Sequence, residues 1–199
     1  MPKVGMQPVR RQQLMDATIR AIHRHGLGET TVQRIAAEAG VSTGIVHHYF
    51  RGKNDLLATT MRWLLVQLNR DLIARLAHHR TPRARLLAVL EANFDDSQFQ
   101  PEVVSAWLAF WAQSSHDSEL ARLRDVYTRR TLSNLLHPLR QLVGPERARL
   151  MATTLAALID GLWLRAAHLD AGLQADDVRG LIGAYVAALL PEGDAAAAD

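Results

Sequence analysis

The chain is predicted to be all-α, and three observations carry that prediction. Apolar residues recur at helical spacing through nearly all of its 199 residues. Leu and Ala dominate while aromatic residues make up 6%, a balance that favours helices over sheets. No stretch alternates apolar and polar residues with β-branched enrichment, so no strand is expected, and no internal repeat is visible.

A first helix is expected from about Pro8 to His25, with Met15, Ile19 and Ile22 facing a core and Gly26 as its stop. Thr30 stands three residues before Gln33, the spacing of a reciprocal N-terminal cap. Val32, Ile35, Ala36 and Ala39 then form one apolar stripe of a short helix, and Gly40 ends it by entering the left-handed region cheaply. Ser42 opens a second short helix bearing Thr43, Gly44, His47, His48 and Tyr49. Two short helices about a tight glycine turn make a helix-turn-helix, whose second helix enters the major groove of DNA. From Lys53 to about His79 the leucines repeat along one long helix, which Thr81-Pro82 ends. Further helices are expected at 82–94, 101–114, 117–142, 146–170 and 174–190, separated at Ser97–Pro101, Ser114–Asp117, Gly144-Pro145 and Ala171-Gly172. The resulting division is 1–52 for a helix-turn-helix unit, 53–190 for a helical bundle, and 191–199 for a disordered alanine-rich tail. The last two helices are apolar on more than one face, which calls for a second covering surface. A second copy of the chain supplies it and also suits paired DNA half-sites roughly 34 Å apart.

Charge is distributed unevenly. Up to residue 55 the bases Lys3, Arg10, Arg11, Arg20, Arg24, Arg34, Arg51 and Lys53 outnumber the acids Asp16, Glu29, Glu38 and Asp55 by four, although the whole chain is only +3. Four of the nine histidines also fall there: His23, His25, His47 and His48. A basic patch confined to one small unit is the electrostatic footprint of phosphate binding.

Several classes are disfavoured. With no cysteine there are no disulfides, thiolate metal sites or thiol nucleophile. The opening MPKVGMQPVRRQQLMDAT lacks the apolar core of a signal peptide, and no run approaches a membrane-spanning length, so a soluble cytoplasmic protein without membrane partners is expected. No glutamate has a histidine three residues on, and HExxH, GxSxG and P-loop patterns are absent. Adjacent His47 and His48 diverge by about 100° on a helix and do not share a metal. No enzyme activity, metal or cofactor is therefore expected.

Residues 14–57 resemble the DNA-binding domain of the tetracycline-repressor family. The resemblance rests on Ala17, Gly26, Thr31, Ile35-Ala36, Ala39-Gly40-Val41-Ser42, Tyr49-Phe50, Lys53 and Leu56. The remainder resembles one subfamily, the choline-responsive repressors of glycine betaine synthesis, through MPKVGMQ, STGIVHHYF, ANFDD at 92–96, AWLAFWA at 106–112 and LAALIDGLWLRAA at 155–167. The resemblance implies a homodimeric repressor of osmoprotectant genes, bound to a double-stranded operator and released by choline or a related quaternary ammonium. It also implies a C-terminal domain that binds ligand and dimerises. Many family members carry tyrosine where His47 stands, and its phosphate-contacting role transfers to that histidine.

The expected DNA contacts are Arg10, Arg11, Thr31, Ser42, Thr43, Gly44, His47, His48, Tyr49 and Lys53. Arg10, Arg11 and Lys53 oppose their helix dipoles, a placement that phosphate contact would compensate. Thr31 and Ser42 offer hydroxyls at helix N-termini. Thr43, Gly44, His47 and His48 are the base-reading set, Tyr49 is a phosphate donor, and Ile45 and Phe50 are expected in the core. For the effector, all four tryptophans lie beyond the first fifty residues: Trp63, Trp107, Trp111 and Trp163. Trp107 and Trp111 share a helix face beside Phe110, and Asp160 and Trp163 share another, with Tyr127 as a further wall. A quaternary ammonium has no N–H to donate, so aromatic rings worth about 0.5–2 kcal/mol each and a carboxylate suit it. Glu91, Asp95 and Asp96 are further acids, and Asp160 has Arg165 as an alternative partner. Two other readings stay open: a bundle admitting broader hydrophobic cations, and a DNA-binding module without effector. The long helix from Lys53 is the expected lever between effector and DNA.

Overall fold

The computed structural model describes residues 6–168 and 173–190, and among these it contains nine helices and no strand. They are α1 (Met6–Glu29), α2 (Val32–Glu38), α3 (Thr43–Tyr49), α4 (Lys53–Ala77), α5 (Pro82–Ala92), α6 (Pro101–Gln113), α7 (Ser118–Val143), α8 (Pro145–His168) and α9 (Ala175–Leu189). Expected and observed ends agree to within two residues where both are described, except that α1 runs on past the break at Gly26 to Glu29, four residues beyond its expected end at His25. The break at Ala171-Gly172 and the tail 191–199 lie outside the described residues.

The helices fall into two compact units that interleave along the chain. One takes the residues up to Val66 with Pro101–Arg124, and the other takes Gln67–Gln100 with the residues from Asp125 onward. Helices α4 and α7 each pass from one unit into the other. This grouping by compactness is a different division from the functional one expected at residue 53.

In the first unit α1 packs against both α2 and α6, and α2 packs against α3. Leu14, Met15, Ala17, Ala21, Ile35, Ala36, Val46, Phe50 and Leu56 form its buried cluster, with Trp63 packed on the edge. The buried hydroxyls of Thr18 and Thr60 donate to the carbonyls four residues back, so neither is left unsatisfied. Gly26 breaks α1 where expected, at φ 70°, ψ 163°.

In the second unit α5 packs against α9. Thr81 caps α5 by accepting from Ala84 N–H at 3.3 Å, and Gly144 at φ 76° turns the chain into Pro145, the first residue of α8. Helix α8 buries Met151, Leu155, Ile159, Leu162 and Trp163 along one stripe. Its opposite face leaves Leu150 70% and Leu164 50% exposed, and α9 leaves Leu181 and Tyr185 out. By length and composition α8 could cross a membrane, a test that core helices of other proteins also pass.

Candidate nucleic-acid interface

The α2–α3 pair is a helix-turn-helix built from local hydrogen bonds. Thr31, not Thr30, caps α2: its hydroxyl accepts from Arg34 N–H at 3.2 Å. Thr30 is buried instead and donates to the Gly26 carbonyl at 2.7 Å, so the expected Thr30–Gln33 cap is not formed and Gln33 stays exposed. The threonine nearer the apolar core is drawn inward, which leaves its neighbour to meet the orphan N–H groups. At the other end, Gly40 N–H bonds to Ala37 and Val41 N–H to Ala36, at 3.1 and 2.9 Å, with Gly40 at φ 65°. This is the paired bond pattern of a left-handed glycine stop.

Helix α3 is one turn and three-quarters long, and Val46 is its single buried residue. Val46, rather than the expected Ile45, seats α3 on the core with Phe50, while Ile45 is half-covered. Ser42, Thr43, Gly44, His47 and His48 therefore stand exposed on one polar edge, and Tyr49 is half-covered with its ring edge-on to His48 at 4.9 Å. Ser42 precedes α3 without a side-chain cap bond, so its hydroxyl is not committed to the helix. A Cβ on Gly44 would meet only Ser42 Oγ at 3.7 Å, so nothing within the fold requires glycine there.

The basic residues divide by what they touch. Arg10 reaches Gln13 on its own helix at 2.8 Å. Arg11 donates to the Tyr49 carbonyl at 2.8 Å and holds its guanidinium 4.4 Å over the Phe50 ring. It thereby satisfies a carbonyl at the C-terminus of α3 and stacks on the residue that ends it. Lys53 donates to the Leu27 carbonyl at 2.7 Å, and desolvation by burial, partly offset by Glu29, pulls its pKa below the usual lysine value. Both cations are thus held by protein carbonyls. Asp55, which the sequence reading passed over, accepts from Arg51 N–H at 2.9 Å and braces the entry to α4. Arg20 and Arg24 of α1 pair with Glu38 of α2, at 3.6 and 2.6 Å.

The expected effector residues fall in both units. On α6, Trp107 and Phe110 are each 2% exposed with ring centroids 5.9 Å apart, and Trp111 lies 6.4 Å from Trp107. Tyr127, Asp160 and Trp163 belong to the second unit. Burial first, and then the negative charge of Asp160, push the Tyr127 hydroxyl well above its usual pKa, which places phenol and carboxylate near one another. Asp160 is on the open side of α8, yet desolvation raises its carboxyl above the usual carboxylate range. Among the described residues it makes no ion pair. Glu91 and Asp95 are both taken by Arg75, at 3.7 and 2.5 Å, and Asp96 by Arg179 at 3.2 Å. Burial opposes ionisation of Asp95, but hydrogen bonds from Arg75 and Ser97 outweigh it and hold that carboxyl low.

Sequence reasoning missed the partners of Trp163. Phe94 and Phe99 lie 6.3 and 5.9 Å from it and 5.6 Å from one another, closing an aromatic triangle. Between them in sequence, Gln98 is 2% exposed, and among the described residues its side-chain carbonyl accepts no hydrogen bond. The signal was present in FDDSQF, two phenylalanines flanking a polar loop, but only folding shows that both rings turn inward.

Comparison with known proteins agrees with this architecture. Residues 14–60 match the family described as bacterial regulatory proteins, tetR family, and residues 82–191 match the C-terminal domain of BetI-type transcriptional repressors. The chain is 53% identical over 172 residues to the HTH-type transcriptional regulator BetI of Burkholderia thailandensis, covering 84% of this chain and 86% of that one. It is 48% identical over 193 residues to BetI 2 of Chromohalobacter salexigens, covering 96% and 93%. Among solved structures, a transcriptional regulator of Pseudomonas aeruginosa PAO1 superposes with a TM-score of 0.77 at 30% identity, over 94% of this chain and 93% of that one. A regulator of Saccharomonospora viridis in complex with choline has the same fold, with a TM-score of 0.77 at 24% identity over 90% and 96%.

Proposed function

The chain belongs to the tetR family of bacterial regulatory proteins and carries a BetI-type repressor domain, and from that premise we propose how this repressor, which is not an enzyme, reads DNA and is released. It works in the cytoplasm as a homodimer, holding a palindromic operator of glycine betaine synthesis genes until choline or a related quaternary ammonium binds. The observation that carries the DNA reading is the edge of α3, where Ser42, Thr43, Gly44, His47 and His48 are all exposed above a single buried anchor, Val46. Thr43, His47 and His48 read base edges, Gly44 admits the sugar–phosphate backbone closely, and Thr31, Ser42, Tyr49 and Arg10 meet phosphates. Exposed Gln33 at the start of α2 joins that set.

Arg11 and Lys53 do a different job. Each gives a donor to a protein carbonyl, so they help hold the end of α3 and the start of α4, and phosphate attraction is their secondary effect. The apolar faces of α8 and α9, around Leu150, Leu164, Leu181 and Tyr185, are covered by the same faces of a second copy. In the effector region, Trp163 with Phe94 and Phe99 offers π-faces to a quaternary ammonium, and the carboxylate of Asp160 beside Tyr127 offers charge. The choline-bound structure of the Saccharomonospora viridis regulator supports that class of ligand. Because α4 runs from the recognition unit into the effector unit, tilting it changes the separation of two α3 helices in a dimer. Choline acts only through its unequal affinity for the two arrangements.

The test is a mobility-shift titration of the promoter upstream of choline-oxidation genes, with and without choline. Release by choline, weakened in Asp160→Asn, supports the reading. Full choline occupancy with undiminished operator affinity defeats it.

A further inference from the structure

We propose that a cleft between the C-terminal end of α4, α5 and α7 binds a small hydroxycarboxylate. The cleft has a volume of about 320 Å3 and lies wholly within the second unit. Its floor is formed by the buried Val89 and Pro138, and Arg85, Ser133, Asn134 and His137 stand around it. That volume sits at the small end of ligand pockets, roughly 300–1,000 Å3, so the ligand is a small metabolite.

The electrostatics select an anion. Between Leu72 and Leu90 the chain carries not one acid, and besides Arg75, whose charge is answered by Glu91 and Asp95, it carries His78, His79, Arg80, Arg83 and Arg85. Among the described residues no carboxylate lines the cleft. The Arg85 guanidinium is oriented by the last turn of α4: one Nη donates to the carbonyls of Leu76 and His79, at 3.3 and 3.2 Å. The other Nη and Nε remain for a ligand. An arginine fixed along one edge and open along the other is suited to a bidentate carboxylate.

The hydroxyl preference follows from α7. Pro138 lies inside that helix and has no N–H, so the Asn134 carbonyl four residues earlier loses its helical donor. Asn134 and Pro138 both border the cleft. A ligand hydroxyl can donate to that carbonyl in place of the missing N–H while the carboxylate meets Arg85, and the Ser133 hydroxyl and Asn134 amide add donors on the rim. The aromatic triangle around Trp163 lines none of this cleft, and a cation placed beside Arg85 would be repelled. The cleft is therefore a second ligand site of opposite charge preference to the one for choline, and the inference does not depend on that earlier reading.

Isothermal titration of the full-length protein with lactate, acetate and choline tests it. Lactate is expected to bind one-to-one, acetate more weakly, and saturating choline is expected to leave the lactate heat in place. Ser133→Trp fills the cleft from an exposed position that spares the core, and Arg85→Gln removes the charge. Each is expected to weaken lactate about tenfold or more, the worth of one charged hydrogen bond, with the choline heat unchanged. Lactate binding without any choline response supports this site and fails the choline reading alone. Absence of lactate heat in protein that still binds choline overturns the proposal, and so does lactate binding undiminished in Ser133→Trp.

Discussion

In α3 one of seven residues is buried and the other six stand wholly or half open, whereas Phe94, Phe99 and Trp163 are each at most 9% exposed. The recognition helix works by display. Its core requirement is concentrated in Val46 and the following Phe50, with Ile45 and Tyr49 half-covered, so Thr43, Gly44, His47 and His48 are free to face DNA. The aromatic triangle works by concealment, and the same rings that would hold an effector also hold the unit together. Mutations should therefore separate binding from stability at α3 and confound them around Trp163.

The largest effect is expected at Trp163→Ala. Truncating a buried aromatic costs about 3–5 kcal/mol, and urea unfolding and choline response should fall together. Stability retained with choline binding lost would show that the ring faces an open pocket, which would sharpen the contrast. Next comes Arg11→Met. Removing a charged hydrogen bond and its stacking should cost roughly 1.5–3 kcal/mol of operator affinity or stability, with the salt dependence of binding unchanged. Arg10→Gln should instead lower the salt slope by about one. A comparable slope change for Arg11→Met would return that residue to the phosphate contacts.

Thr43→Ala and His47→Ala should each weaken operator binding by about 1–3 kcal/mol and relax sequence preference, while leaving the melting temperature within the small range of surface substitutions. Gly44→Ala makes the separation sharpest. It should stabilise the fold by up to about 1 kcal/mol through helix propensity, yet weaken the operator complex if the DNA backbone comes close there. A variant with both properties improved would remove Gly44 from the interface. The smallest effect is a pH dependence. The folded-state pKa of Asp95 is depressed, so its stabilising contribution is complete above the ordinary carboxylate range and is lost as pH falls through and below about 4. Asp95→Asn should flatten that acid limb in urea unfolding.

The helix-turn-helix was legible because its signals are local. Caps, a glycine stop and a polar edge lie within residues 30–53, and neighbours in sequence are neighbours on the surface. Even so, the sequence misassigned the cap to Thr30, because which of two adjacent threonines turns inward depends on the Gly26 carbonyl waiting in the core. It also placed Arg11 and Lys53 by charge alone, without seeing the carbonyls of Tyr49 and Leu27 that occupy them. The aromatic cluster was half legible. Trp163 stood out, but its partners lie some seventy positions earlier in a loop, and periodicity carries no information across that distance.

Residue order by itself determined the helices, their breaks and the concentration of positive charge at one end, since propensity, capping and charge act over a few positions. Which cations are spent inside the protein, which rings meet Trp163, and where Arg85 and the proline of α7 open a cleft were decided only in three dimensions. Those outcomes depend on contacts between distant segments, and a buried side chain looks the same in sequence whether it faces core, ligand or a second chain.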